Sequence, residues 1–417
     1  MTEKRRPIVR MISEKEQFPG HSGNMLAARF DRPAAGKPQA VAVFAHCFTC
    51  SKDILAARRI SERLVERGVA VLRFDFTGLG HSQGEFANTD FTSNVDDLTA
   101  AAAFLEQRGQ APALLIGHSL GGAAVIAAAT RLPSVKAVAT IGAPYDPAHV
   151  LHNFDSSIDA IEHQGEAQLT LAGRPFTIRR SFLEDVRGQQ QRQRIATLGR
   201  ALLILHAPRD EVVGIDNATD IFTAARHPRS FVSLDDADHL LTRAEDAEYA
   251  AKVIASWSSR YLGLVAPTPP PEAPEGITRI HEADPDGFLQ DIVSGVHYLR
   301  ADEPESFGGT NLGLTPYQLL AAALGACTSM TVRSYARRKK FPLVDVAVDV
   351  SHGRVHAEDC QDCSNHDAKQ IDRFERVLYL TGDLSAEQRD ALLSIADRCP
   401  VHRTLEANAQ VVTRLGD

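Results

Sequence analysis

Ser119 stands in Gly117-His118-Ser119-Leu120-Gly121-Gly122, between the apolar run Ala113-Leu114-Leu115-Ile116 and the small-residue stretch from Ala123 to Ala129. A strand, a sharp turn and a helix in that order force a serine into a strained conformation with its hydroxyl exposed at the sheet's edge. The flanking glycines allow the close packing this needs. A serine hydroxyl becomes a useful nucleophile only when an imidazole takes its proton and a carboxylate orients that imidazole. Asp210 follows the apolar run 201–205, and His239 closes Asp235-Asp236-Ala237-Asp238-His239 after the next run. They come after the serine in the order acid, then base. A Gly-rich turn and helix-capping carboxylates are the bland alternatives, and the ordered set favours the catalytic one. The oxyanion of acyl transfer needs two N–H donors. Leu120 supplies one, and the second belongs to the loop His46-Cys47-Phe48-Thr49-Cys50-Ser51-Lys52.

The cysteines form three groups. The Cys47-x-x-Cys50 spacing is that of redox motifs, but those open helices in a thioredoxin-like context, so two small loop residues beside the nucleophile is the better reading. Cys327, within Leu324-Gly-Ala-Cys-Thr-Ser-Met330, reads alone as a small buried hydrophobe. Cys360-Gln-Asp-Cys363 after His356 offers three ligands of zinc type. It stands alone in a polar loop, so surface thiols are preferred and neither metal nor cofactor is expected. Arg337-Arg-Lys-Lys340 complements a helix C-terminus.

The elements that must position these groups divide at Val265-Ala-Pro-Thr-Pro-Pro-Pro-Glu-Ala-Pro-Glu-Gly276, where five prolines in twelve residues make an extended spacer. The expected organisation is a first domain over 1–264, a linker over 265–276 and a second domain over 277–417. Before the spacer, short apolar strands (41–45, 69–76, 113–116, 135–141, 201–205 and 231–234) alternate with helical stretches. That is the grammar of an α/β fold whose mostly parallel sheet is buried on both faces. The interval from about 145 to 199 breaks the rhythm and reads as a cap over the catalytic face, or as an irregular excursion. After the spacer, strands 278–281 and 288–300 precede a helix from Thr315 to about Arg338. Strands 344–350 and 376–380 and a helix opened by Ser385 follow, an α+β pattern. Thr315-Pro-Tyr-Gln318 and Ser385-Ala-Glu-Gln388 are capping boxes.

The 417 residues suit two or three domains, and 44% hydrophobic with 24% charged residues is ordinary for a globular protein. A net charge of −8 argues against general nucleic-acid binding. No run approaches the ~18 apolar residues of a membrane span. The charged N-terminus lacks an apolar signal core. Six cysteines do not make a secreted disulfide framework, so a cytoplasmic location is expected.

Two resemblances sharpen these expectations. Residues 20–262 resemble the α/β-hydrolase superfamily, most of all esterases of the feruloyl (cinnamoyl) type. The likeness rests on His46-Cys-Phe-Thr-Cys50 and Arg73-Phe-Asp-Phe-Thr-Gly-Leu-Gly-His-Ser82, with cysteines where that family has glycines. It implies an acyl-enzyme mechanism on small or medium acyl esters, with Phe48 N–H as the second oxyanion donor. Residues 277–415 resemble the OsmC/Ohr thiol peroxidases through Gly308-Gly-Thr-Asn-Leu-Gly-Leu-Thr-Pro316, the Cys327 segment and Asp397-Arg-Cys-Pro-Val-His402. This implies that Cys327 and Cys399 reduce an organic hydroperoxide at the expense of a dithiol, in an intertwined homodimer. The family's activating arginine, on the first hairpin turn, is missing from Glu282–Gly287, and Gln318 stands near its glutamate's place. Arg300 or Arg333 is the residue available to take that arginine's place. The alternative is a second domain that serves only as a dimerisation scaffold.

Overall fold

The computed structural model describes residues 11–171, 173–264, 273–356, 370–407 and 409–415. The chain divides into two compact units, Met1–Pro267 and Thr268–Asp417.

The first unit is built on β1 (Met11–Pro19), β2 (Met25–Pro33), β3 (Ala40–Ala45), α1 (Leu55–Val65), β4 (Val69–Phe74), α2 (Phe91–Gln107), β5 (Leu114–His118), α3 (Leu120–Ala129) and β6 (Ala137–Ile141). An excursion follows: α4 (Ile158–Gln164), β7 (Glu166–Leu171), β8 (Arg174–Arg179), α5 (Arg180–Arg187) and α6 (Gln191–Ala196). The fold resumes with β9 (Ala201–His206), α7 (Asp216–Ala224), β10 (Arg229–Ser233) and α8 (Ala244–Leu262).

Eight strands form one sheet in the order β1-β2-β4-β3-β5-β6-β9-β10. From β4 to β10 neighbours run parallel, while β1–β2 and β2–β4 are antiparallel. The unbroken apolar runs follow from burial on both faces. Alternate residues go to opposite cores: Val43, Leu72 and Leu115 join α2 and α3 on one side, and Phe44, Val71 and Ile116 join α1 and α8 on the other. The hairpin β1–β2 precedes the first strand expected from the sequence. β1, at the sheet's edge, is mostly exposed and charge-bearing, and the apolar run Met25–Ala28 of β2 is cut short by Arg29, Asp31 and Arg32. The excursion holds a separate two-stranded sheet, β7–β8, whose Phe176 and Ile178 are buried with α5's Phe182 and Leu183.

The second unit contains β11 (Thr278–Glu282), β12 (Gln290–Ser294), β13 (His297–Ala301), α9 (Pro316–Lys339), β14 (Leu343–His356), β15 (Gln370–Gly382), α10 (Ala386–Ala396) and α11 (Pro400–Glu406). The stretch 288–300 is two strands of an antiparallel hairpin, because Ser294-Gly295 turns at a positive-φ glycine (φ 54°). Both capping boxes form. The Thr315 hydroxyl accepts from Gln318 N–H at 3.2 Å and the Gln318 side chain accepts from Thr315 N–H at 2.9 Å. Gln318 is thus spent on starting α9. Helix α11 was also unforeseen, although proline at its first position, after Cys399, is a recognisable start signal.

Candidate active site

Strand β5 ends at His118, and Ser119 turns the chain into α3 at φ 55°, ψ −127°. A side-chain-bearing residue rarely adopts a positive φ. The turn is held by Ser119 N–H, which donates to the Ile141 carbonyl at 2.8 Å. A Cβ on Gly117 would strike the Gly121 carbonyl, and one on Gly121 would lie 2.5 Å from the His46 carbonyl oxygen. Strand, helix and the loop after β3 therefore meet at a closeness only glycine permits.

Asp210 and His239, on the loops after β9 and β10, meet beside this turn. His239 Nδ1 lies 2.7 Å from Asp210 Oδ2. Asp210 Oδ1 accepts from the N–H groups of Val212 and Val213 at 2.9 and 2.8 Å. Burial pushes the Asp210 carboxyl up, but the imidazole bond and these N–H donors outweigh it and hold the group below the usual carboxylate range. An ionised carboxylate only accepts, so Nδ1 carries the hydrogen and Nε2 keeps its lone pair free to take a proton. Among the described residues no hydrogen bond joins the Ser119 hydroxyl to His239, and such bonds commonly tighten only with substrate in place.

His118 braces this arrangement. Its Nε2 donates to the His239 carbonyl at 2.7 Å, and its buried Nδ1 has no partner among the described residues. Burial, with the His239 imidazole nearby, pushes His118 down to about 4.

The loop after β3 carries Phe48. His46 Nδ1 donates to the Cys47 carbonyl at 2.7 Å, because Phe76 N–H occupies Nε2 at 3.3 Å, and Cys50 N–H reaches the same carbonyl at 3.1 Å. In a trans peptide C=O and N–H point opposite ways. Gripping the Cys47 carbonyl therefore fixes the direction of Phe48 N–H. Phe48 and Leu120 line one small cleft with His46, Leu79 and Ala124. Leu120 opens α3, where backbone N–H groups lack intrahelical acceptors.

Downstream, the Lys52 N–H and ammonium both bind the Asp75 carboxylate at 2.7 Å, and Arg73 ties the Lys52 carbonyl (2.5 Å) to Asp31 (2.7 Å). These buried charges are all paired, which is the condition for tolerating them. Cys47 and Cys50 are joined as a disulfide, Cα atoms 5.2 Å apart. This corrects the reading of two free small residues: the turn closed by Cys50 N–H brings the Cα atoms within disulfide span.

The excursion covers this cleft with aromatic side chains. The Phe48 ring lies 5.3 Å from Phe182 and 6.4 Å from Phe154 of this excursion, and 5.3 Å from Phe86 in the segment before α2. Arg174 of β8 donates to the Thr49 carbonyl and so ties the loop after β3 to the excursion.

In the second unit Cys399 is fully buried and caps α11, its sulfur accepting from His402 N–H at 3.3 Å. Cys327 of α9 is partly exposed, and its side chain is among the groups that hold the Cys399 thiol below its ordinary value. The Thr328 hydroxyl stands 3.6 Å from the Cys399 sulfur. Arg300 is bound to Tyr298 and Asp291, and Arg333 to the carbonyls of Leu343 and Val344, so each is occupied elsewhere. Cys360, Cys363 and the His356 side chain lie outside the described residues. Among the described residues no group of three His, Cys, Asp or Glu could hold a metal ion. No described helix is long and apolar enough to cross a membrane.

The comparisons with known proteins follow the same division. A family model described as serine aminopeptidase, S33 matches residues 36–165, and one described as OsmC-like protein matches residues 309–414. The crystal structure of the esterase domain of a Rhodothermus marinus protein is 48% identical, covering 60% of this chain and all of that one, with a TM-score of 0.51. The α/β hydrolase GrgF of a Penicillium species shares the fold at 16% identity and a TM-score of 0.50, over 60% of this chain and 99% of its own. The uncharacterized protein YfhR of Salmonella typhi is 25% identical over 55% of this chain and 75% of its own length.

Proposed function

Since the chain belongs to the α/β-hydrolase family of esterases and carries an OsmC-like domain behind that fold, we propose that it is a carboxylesterase working through Ser119. The Ser119 oxygen attacks the ester carbonyl while His239 Nε2 takes the hydroxyl proton. Asp210 holds the imidazole in the required tautomer and stabilises the imidazolium that forms. The oxyanion rests on the N–H groups of Phe48 and Leu120. Collapse expels the alcohol with the proton returned from His239, and water then hydrolyses the acyl-enzyme by the reverse sequence.

The observation that carries this reading is the 2.7 Å His239–Asp210 bond beside a serine held at positive φ. The phenylalanines over the cleft favour apolar acyl groups of small or medium size. Hydrolysis of a panel of p-nitrophenyl esters tests the proposal. Ser119→Ala should lower kcat by roughly 10⁴-fold or more, and a folded variant retaining wild-type rates would refute it.

The second unit is proposed to reduce organic hydroperoxides. The Cys327 thiolate attacks the O–O bond, becoming a sulfenic acid and releasing the alcohol once the alkoxide gains a proton. Cys399 then attacks the Cys327 sulfur, expelling water and forming the disulfide, and a dithiol restores both thiols. The partly exposed Cys327 next to a buried partner supports this order. Dimerisation through the second unit is favoured by the bare apolar side chains it presents, among them Leu320, Met330 and Val344. Equal hydroperoxide consumption by wild type and Cys327→Ser would leave the scaffold alternative standing. A cytoplasmic site of action, without nucleic-acid or membrane partners, accompanies this reading.

A further inference from the structure

The thiol pair needs a nearby cation to hold a thiolate at neutral pH, and the hairpin turn of the second unit lacks an arginine. Arg376, in the middle of β15, stands where one is required. One of its terminal nitrogens donates to the Thr328 hydroxyl oxygen and to the Ala396 carbonyl, both at 3.0 Å. The other donates to Asp397 and to His402 Nδ1, both at 2.8 Å. Four hydrogen bonds thus converge on the segment that carries Cys399 and on the residue after Cys327.

We propose that Arg376 is the positioning residue of the thiol pair: it ties the Cys399 segment to α9 and holds Cys399 as the thiolate released when the Cys327–Cys399 disulfide is reduced. The proposal rests on the reading of these cysteines as a redox couple.

The electrostatics favour a net positive influence. The Arg376 side chain is 11% exposed, whereas the Asp397 carboxylate is 66% exposed and largely screened by water. A guanidinium only donates, so His402 Nδ1 must accept. His402 is then the Nε2–H tautomer, with Nε2 lying 2.9 Å from a Glu406 carboxylate oxygen. The Arg376 charge therefore stands one hydroxyl away from the sulfur. Arg376 fills an acceptor site of the Thr328 oxygen and polarises its hydroxyl, whose single hydrogen is shared between the Leu324 carbonyl at 2.8 Å and the Cys399 sulfur at 3.6 Å and is drawn toward the sulfur when that is negative. Burial pushes the Cys399 thiol up, but Thr328, His402 N–H, Cys327 and Arg376 together bring it below the ordinary thiol value.

This asymmetry sets the direction of reduction. A thiolate of the dithiol reductant attacks the Cys327 sulfur, the more accessible of the two. The bond between reductant and Cys327 forms as the Cys327–Cys399 bond breaks, and its electron pair leaves on Cys399. A low-pKa thiol leaves fastest. The reductant's second thiolate then closes on its own sulfur, releasing Cys327, which takes a proton from solvent, and departing as a cyclic disulfide.

The test is a pH titration of ultraviolet thiolate absorbance in the full chain. The difference between Cys327→Ser and Cys327→Ser/Cys399→Ser isolates Cys399. Adding Arg376→Gln should raise the Cys399 midpoint by about one pH unit, roughly a tenfold loss of thiolate below it. Arg376→Lys should recover part of the shift. Thr328→Val, which removes the bridging hydroxyl while keeping the shape, should raise the midpoint and Thr328→Ser should not. An unchanged midpoint in folded Arg376→Gln overturns the proposal. Should that variant not fold, unchanged midpoints in both Arg376→Lys and Thr328→Val overturn it. No peroxide enters this titration. A shifted midpoint in a chain that turns over no hydroperoxide would sink the proposed peroxidase activity and leave the role of Arg376 intact.

Discussion

His118 illustrates how one buried side chain can set a limit on the conditions under which the hydrolase unit stays folded. Its Nε2–H is committed to the His239 carbonyl and its Nδ1 faces no acceptor, so a proton added there would be a buried, unpartnered charge. The folded-state value of about 4 lies below the ordinary 6.5. The unfolded chain therefore binds this proton first as pH falls, and stability is lost between roughly pH 6.5 and 4. The loss amounts to about 3 kcal/mol by the lower end. Urea denaturation followed by the fluorescence of Trp257, the single tryptophan and a residue of α8, reads the unit that contains His118. His118→Asn should be less stable at neutral pH but show a shallower decline toward pH 4.

At the scale of elements, the site is a junction of β5, α3 and the loop after β3, and its tolerance is set by backbone clearance. Gly121 sits where a methyl group would press on the His46 and Ala45 carbonyl oxygens at 2.5 and 2.6 Å. Neither partner is the end of a flexible side chain, so the backbone must move. Gly121→Ala should cost about 1–3 kcal/mol in stability. By displacing the loop that aims Phe48 N–H, it should also lower kcat for p-nitrophenyl esters by about 10²-fold, a loss comparable to removing one oxyanion donor. A variant with normal kcat and a normal melting temperature would mean that the loop is not braced by α3. The Asp75–Lys52 and Arg73–Asp31 pairs brace the same loop further along, with every buried charge opposed.

The whole molecule joins two units of different self-sufficiency. The first buries two extensive cores on either face of its sheet, while the second has one small core around Val332, Ala336 and Leu392. Met330 and Val344 of the second unit are 71% and 73% exposed. Apolar surface of this kind is stabilised by removal from water, at about 25 cal/mol per Å². Light scattering of the full chain should report a dimer, and Met330→Glu, which puts a charge on that surface, should weaken it toward monomer. A wild-type monomer at micromolar concentration would contradict the dimeric reading.

The linear order of residues by itself determined the α/β class with a mostly parallel sheet, because apolar strands alternating with helices bury both faces of a sheet. It also marked the elbow around Ser119 and the capped start of α9, since both are written in contiguous residues. Other features had no local signature. The edge strand β1 is mostly exposed and polar and carries no apolar run, and the Cys47–Cys50 link depends on a turn whose closure is not coded by spacing. His46, His118 and Arg376 act on groups brought near only by folding: His118 reaches a carbonyl 121 residues away, and Arg376 gathers partners from α9, α10 and α11. Tertiary structure alone decided these, because a hydrogen bond requires proximity in space, and pattern along a chain encodes proximity only within a turn or two of backbone.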